Sequence, residues 1–213
     1  MPGGVAGRPI LEWQLSAFEL AGIRDITVVA GYRADQVQDF CARRANRANV
    51  RVITNVEYDV TNNLYSLIVA LKSNHEPSFI CNGDVVFDAH IVRQMLHGAP
   101  NLIAVVPNDY NDESMKVIVK DGRIRSISKA ISPDDAYGVS IDVYKFETPT
   151  LRAIEEFALK QFSLGERNQW TWTEVAIDAI AEFVPLTPFN IGSSRWVEID
   201  TPEDLAAAEA LFA

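Results

Sequence analysis

Cysteine is nearly absent from this 213-residue sequence, which holds only Cys41 and Cys81. Two isolated cysteines cannot make a disulfide framework or a zinc site, so both read as reduced thiols of an intracellular protein. Positive charge is also scarce: 19 Lys and Arg against 29 Asp and Glu leave a net charge of −10. That argues against a nucleic-acid polymer as partner, because a phosphate backbone demands a Lys and Arg footprint. A single nucleotide stays possible, since a metal ion and a few local cations offset its charge. No apolar run approaches the length of a membrane span. The amino terminus lacks the basic-then-apolar layout of a signal peptide. The sequence therefore reads as cytoplasmic with no membrane partner, and a monomer or a homodimer fits it equally. Repeats and low-complexity segments are missing too.

What is present is an ordinary globular composition, 48% hydrophobic and 23% charged, at a length that suits one domain. Apolar spacing predicts a helix over Leu11–Ala21, ended by Gly22. A buried parallel strand is expected at Ile26–Ala30, a helix at Asp35–Arg44 and a strand at Val50–Thr54. Thr61 is expected to cap a helix from Asn62 to Leu71, followed by a strand at Ser78–Cys81, a helix at His90–Leu96 and a strand at Leu102–Val106. Strands alternating with short helices at this spacing predict a doubly wound α/β fold, with a mixed, mainly parallel sheet. The second half changes rhythm. Met115–Lys120 and Ile124–Ser128 flank Asp121-Gly122, a strong hairpin signal. A long strand is expected at Tyr137–Phe146, helices at Thr148–Phe162 and Trp170–Phe183, strands at Val184–Leu186 and Trp196–Ile199, and a closing helix from Pro202. This half predicts a smaller antiparallel hairpin or lid region.

Two aspartates end strand-like runs: Asp84 closes Phe79-Ile80-Cys81-Asn82-Gly83-Asp84, and Asp200 closes Trp196-Val197-Glu198-Ile199-Asp200. In α/β sheets, ligands bind outside the carboxyl ends of the strands. Two carboxylates delivered there suit Mg²⁺, which takes its remaining ligands from water and substrate phosphates. Each aspartate also has a purely structural reading. Asn82-Gly83-Asp84 spells a turn, and Asp200 leads into Thr201-Pro202-Glu203-Asp204, a good helix start. The glycines of Met1–Pro9 follow no strand, so the context of a phosphate loop is missing.

At these residues the sequence resembles the nucleotidyltransferase superfamily that couples nucleoside triphosphates to phosphorylated small molecules. Gly7-Arg8-Pro9-Ile10-Leu11-Glu12-Trp13 resembles the segment after the family's opening loop. Gly22-Ile23-Arg24-Asp25-Ile26 and Val28-Val29-Ala30-Gly31-Tyr32 resemble the next helix-to-strand passage. Asn82-Gly83-Asp84 resembles the metal aspartate after the central strand. Ile127-Ser128-Lys129 and Tyr137-Gly138-Val139 resemble the substrate-phosphate lysine and the strand after it. Glu198-Ile199-Asp200-Thr201-Pro202-Glu203-Asp204-Leu205 resembles the second metal aspartate and its helix. Asn55, Tyr58 and Thr61-Asn62-Asn63-Leu64-Tyr65-Ser66-Leu67 resemble the branch of bacterial choline-phosphate and aminoalkylphosphonate cytidylyltransferases; helix capping is the plainer reading of Thr61-Asn62-Asn63.

The resemblance implies one nucleotidyltransferase domain over residues 1–213, with 1–107 as the nucleotide-binding half and 108–213 as the acceptor-binding half. It implies that CTP and a small phosphorylated acceptor such as phosphocholine are joined with release of pyrophosphate. A sugar-1-phosphate nucleotidyltransferase and an inactive nucleotide- or metabolite-binding homologue are the alternatives. Asp84 and Asp200 would hold Mg²⁺, and Lys129 would meet the acceptor phosphate. Asn62, Asn63, Asn82 and Gly83 would line the nucleotide. Glu174 and the aromatic faces of Tyr137, Trp170 and Trp172, with Tyr110 as a further candidate, would meet a quaternary ammonium acceptor. Lys116 is either a site residue or an exposed strand residue. Family members open with an apolar strand, a Gly-rich loop and a Pro-Lys pair ahead of the matched segment. None precedes it here, so weak or absent turnover by residues 1–213 is expected, with strands left unpaired where a central strand would lie.

Overall fold

The computed structural model describes residues 4–44, 48–108, 114–165 and 171–213. Its centre is built by strand alternation. β5 (Leu102–Pro107) sends Leu102 and Ala104 to one face and Ile103 and Val105 to the other, all buried, because successive side chains of a strand point opposite ways. Beside it β8 (Gly138–Phe146) sends Ile141 and Val143 to the first face and Tyr144 and Phe146 to the second. Around this pair lie β3 (Ser78–Cys81), β6 (Lys116–Lys120), β7 (Arg123–Ser128) and β9 (Thr187–Asn190). β3, β5 and β6 all pair antiparallel with β8, and β9 pairs parallel with β5, so β3, β5, β6 and β9 share one direction.

Both faces of this sheet are covered. α3 (Asn63–Leu71), α5 (Thr148–Ser163) and α6 (Thr173–Ile180) pack on one, and α1 (Ile10–Leu20) and α4 (Ala89–Leu96) on the other. The doubly wound, mixed α/β arrangement is thus the one the sequence rhythm predicts. Lys145 ties α4 to the sheet: its ammonium lies 3.0–3.3 Å from the carbonyl oxygens of Met95, Leu96, Gly98 and Ala99, a cation at the negative end of a helix.

β1 (Asp25–Ala30) and β2 (Asn49–Thr54) form a separate parallel pair, joined through α2 (Ala34–Ala42). Among the described residues they hydrogen-bond as strands only to each other, and β3 pairs only with β8. β1 is half-exposed rather than buried, with Asp25 and Thr27 open to solvent. The hairpin of β6 and β7 turns through Asp121 and Gly122 at φ 53° and 71°, the left-handed pair that this turn type requires.

Elsewhere the boundaries move. The strand expected at Val184–Leu186 is β9 at Thr187–Asn190, and Leu186 makes only an isolated bridge to Ile124. Pro188 lies within β9, which a strand paired along one edge tolerates. The helix after Asn62 is capped by Asn62, whose Oδ1 accepts from the Asn63 N–H, while Thr61 donates to the Glu57 carbonyl. α6 starts at Thr173 rather than Trp170. Two short strands complete the fold: β4 (Val85–Phe87), which the sequence did not announce, and β10 (Trp196–Glu198), with α7 (Pro202–Phe212) after it. Among the described residues, no helix is long and apolar enough to cross a membrane.

Candidate active site

β4 and β10 explain how the two aspartates meet. The strands pair antiparallel, with Val85 opposite Glu198, Val86 opposite Val197 and Phe87 opposite Trp196. The ladder continues into the Ile199 N–H, which donates to the Asp84 carbonyl at 3.0 Å. Fully buried Val86 pins this strip onto Val5, Ala208 and Phe212, with Val197 and Ile199 packed alongside. The backbone therefore brings Asp84, Glu198 and Asp200 together, with carboxylate oxygens within 4.8 Å of one another. Glu198 was missed by the sequence reading. Its signal was available: residues i and i+2 of a strand share a face, so Glu198 follows from Asp200. Asp200 itself is not the helix cap; Thr201 is, in a capping box with Asp204.

Three like charges here repel. Burial, with the charges of Asp142 and Asp200, holds the Asp84 carboxyl above the usual range, partly opposed by a backbone hydrogen bond. Burial first, then Asp142, Asp200 and Asp84, pushes Glu198 up to about 7, against the pull of Lys129. Asp84 Oδ1 is buried and has no hydrogen-bond partner among the described residues. An orphaned carboxylate oxygen in an all-oxygen donor set is what a hard divalent cation requires, so these residues fit Mg²⁺.

The loop carrying Asp84 is clamped from two sides. Gln14 of α1, nearly buried, donates to the carbonyls of Asn82 and Val85 at 2.7 and 2.9 Å. On the other side Asn82 donates through its backbone N–H to the Asp142 carbonyl at 3.2 Å, and through Nδ2 to Asp142 Oδ2 at 2.8 Å. Asn63 donates to Asn82 Oδ1 at 3.3 Å and accepts from the Thr173 N–H at 2.8 Å. The structure thus gathers Asn63, Asn82 and Asp84, leaves Gly83 exposed in the turn, and gives Asn62 a capping role.

On the acceptor side, Lys129 is exposed; its Nζ lies 5.3 Å from the centre of the Trp172 ring. Its charge lowers both Asp142 and Glu198, which places it within electrostatic reach of the carboxylates. Glu174 is only 2% exposed, so it lies behind the surface rather than on it. Tyr137 stands just before β8, 37% exposed, and its backbone bonds join it to Val117 and Asn108. Lys116 is buried rather than exposed, with Nζ donating to the Ser114 carbonyl. Trp170 and Tyr110 lie outside the described residues.

Three carboxylates gathered at the ends of paired strands, backed by amides and within electrostatic reach of a lysine, form a donor set suited to a divalent cation. Residues 4–146 match the model of the MobA-like NTP transferase domain, and the chain belongs to that family. It is thereby a nucleotidyltransferase by class. The bifunctional IPC transferase and DIPP synthase of Rubrobacter xylanophilus is 26% identical over 212 residues, 97% of this chain; the chain spans only 46% of that protein. The choline-phosphate cytidylyltransferase of Streptococcus pneumoniae is 26% identical over 205 residues, covering 96% of this chain and 85% of that protein. A solved structure of the CTP:phosphocholine cytidylyltransferase from the same species superimposes with a TM-score of 0.78 at 21% identity, over 99% of this chain and 88% of that one, which shows the fold.

Proposed function

We propose that this chain transfers the cytidylyl group of CTP to a small phosphorylated acceptor such as phosphocholine, with release of pyrophosphate. The observation that carries the reading is the convergence of Asp84, Glu198 and Asp200, in a chain whose relatives include a cytidylyltransferase. An acceptor phosphate oxygen attacks the α-phosphorus in line; the new P–O bond forms as the α–β anhydride bond breaks, and the electron pair leaves on pyrophosphate. The nucleophile is already an anion, so no general base is needed, and catalysis rests on positioning and charge neutralisation. Asp84, Glu198 and Asp200 would hold Mg²⁺, which when bound offsets negative charge on the reacting phosphates.

The protein's own groups do the rest. Lys129, exposed beside the carboxylates, is a point charge for the acceptor phosphate. Asn82 and Asn63, whose amides brace each other, Asp142 and the Thr173 N–H, would frame the nucleotide from the half formed by residues 1–107. Trp172 offers an aromatic face to a cationic acceptor head from residues 108–213, with Tyr137 and Trp170 as further candidates. Glu174 acts from behind this surface.

The test is pyrophosphate release by the purified chain with Mg²⁺, each nucleoside triphosphate being set against phosphocholine, 2-aminoethylphosphonate and hexose 1-phosphates. Turnover with CTP and phosphocholine supports the reading. Turnover confined to hexose 1-phosphates points to a sugar-1-phosphate nucleotidyltransferase instead. Binding of CTP without turnover for any pair points to a homologue that binds and does not transfer.

A further inference from the structure

Behind the open carboxylates lies a second acidic group. Tyr144 Oη is 2.8 Å from Asp142 Oδ1 and 2.6 Å from Glu174 Oε1. Tyr144, Asp142 and Glu174 are 0%, 8% and 2% exposed. A phenol has one hydrogen to donate, so it satisfies one of these two short contacts. The other contact requires a hydrogen on the second carboxyl, which then donates to the phenol oxygen. Ser140 Oγ sits 3.3 Å from Asp142 Oδ1 and 3.4 Å from Tyr144 Oη, between neither of the short pairs, so it does not supply the missing hydrogen. The group therefore holds one proton on its two carboxyls.

Geometry also says where that proton goes. Burial raises the Asp142 carboxyl, but it accepts from Tyr144, from the Asn82 amide at 2.8 Å and from Ser140 and is faced by Lys129, all of which favour its anion. Glu174 is faced by Tyr144 and Asp142 from β8 and by Asn63 from α3; burial first, then the Asp142 charge, pushes it up to about 7. Asp142 in turn faces the Cys81 thiol of β3 and the Asp84 and Glu198 carboxylates.

The array is joined to the open site through one residue. Asp142 holds Asn82 by both backbone and side chain, two positions ahead of Asp84. Its own backbone is left-handed, φ 58°, where the register of β5 against β8 slips between Ile103 and Val105. Bulges beside active sites re-aim a side chain, and a non-glycine residue with positive φ persists only where its surroundings enforce it. We propose that Asp142 and Tyr144 are positioning residues, which by sharing one proton with Glu174 lock Asn82 and so aim Asp84 at the cation. This rests on the reading of Asp84 as a metal-binding carboxylate.

The experiment is Mn²⁺ titration of the full chain as wild type, Tyr144→Phe and Asp142→Asn, with ¹³C carboxyl titration of Glu174, assigned by its disappearance in Glu174→Gln. Both variants are expected to keep the wild-type circular dichroism and to weaken Mn²⁺ binding about tenfold or more, the scale of second-layer partners. The Glu174 midpoint is expected to fall in Asp142→Asn, which removes a neighbouring anion. If Asp142 acts only through its charge, Tyr144→Phe binds Mn²⁺ like wild type; that result overturns the proposal and leaves the metal site standing. Failure of the wild-type chain to bind Mn²⁺ overturns both. Should Asp142→Asn not fold, Tyr144→Phe decides alone, since it removes a single oxygen.

Discussion

Asp84, Glu198 and Asp200 form one acidic group in this molecule, and Asp142 and Glu174 form another just behind it. The first is fixed by backbone: the β4–β10 ladder and the Ile199 N–H to Asp84 carbonyl bond hold it together. Its side chains crowd like charges together, and one of them keeps a buried oxygen without a hydrogen-bond partner among the described residues. The second is fixed by its side chains: a phenol, an amide and a shared proton satisfy it. Like charges can thus be gathered in two ways. Held by backbone, they stay hungry for a cation; held by hydrogen bonds and a proton, they become part of the frame. The contrast assigns function to the first and alignment to the second.

The largest effect separating the two is on catalysis. Asp84→Asn is expected to lower nucleotidyl transfer by on the order of 10²–10³-fold, as removal of one electrostatic stabiliser does, while leaving thermal stability unchanged or higher. Its carboxyl gains nothing from protein partners at Oδ1 and carries the cost of burial. Pyrophosphate release and a thermal melt on the same sample check this; a matching loss of stability would erase the distinction.

Next in size is a pH effect centred on the sealed group, because Glu198, raised over the same range, is exposed and screened by solvent. The Glu174 carboxyl is pushed from 4.5 to about 7, so between those values the folded chain keeps a proton that the unfolded chain has released. Stability from this group is complete below about 4.5 and is lost as pH rises through about 7, by about 3 kcal/mol at 1.36 kcal/mol per unit. Urea unfolding of the metal-free chain from pH 5 to 8 should show that fall, and Glu174→Gln should reduce it by keeping a neutral side chain throughout, leaving only the smaller part due to Glu198. A slope unaltered in Glu174→Gln would place the proton elsewhere.

Tyr144→Phe should cost about 1–3 kcal/mol in the same unfolding assay, the range for leaving a buried polar group without its partner. Smallest is Lys129→Ala: acceptor KM should rise roughly tenfold or somewhat more, the worth of a hydrogen bond to a charged group. Stability should stay within about 0.5 kcal/mol, as for ordinary surface substitutions. A destabilised Lys129→Ala would move that residue from the open group to the frame.

Legibility in the sequence followed the same division. Asp84 and Asp200 could be read because each closes an apolar run, and Asp121-Gly122 because its turn needs two left-handed residues. The alternation of strands and helices gave the layers on both faces of the sheet. Asp142 could not be read, since it lies inside a strand and reaches Asn82 only because β8 is irregular against β5, an event of tertiary pairing. Gln14 was hidden likewise: its role depends on where α1 settles against Asn82 and Val85. Glu174 was named for the acceptor surface, but the structure seals it beneath that surface. The strand expected at Val184–Leu186 starts three residues later, as β9, because its pairing with β5 begins at Thr187.

The most direct measurement is a thermal melt of the full chain with and without Mn²⁺, for wild type and Asp84→Asn. A cation bound at 100 times its dissociation constant adds about 2.7 kcal/mol to the folded state. A clear rise in Tm for wild type and none for Asp84→Asn is the predicted result. Equal shifts in both, or no shift in wild type, would contradict the assignment of the open carboxylates to a metal ion.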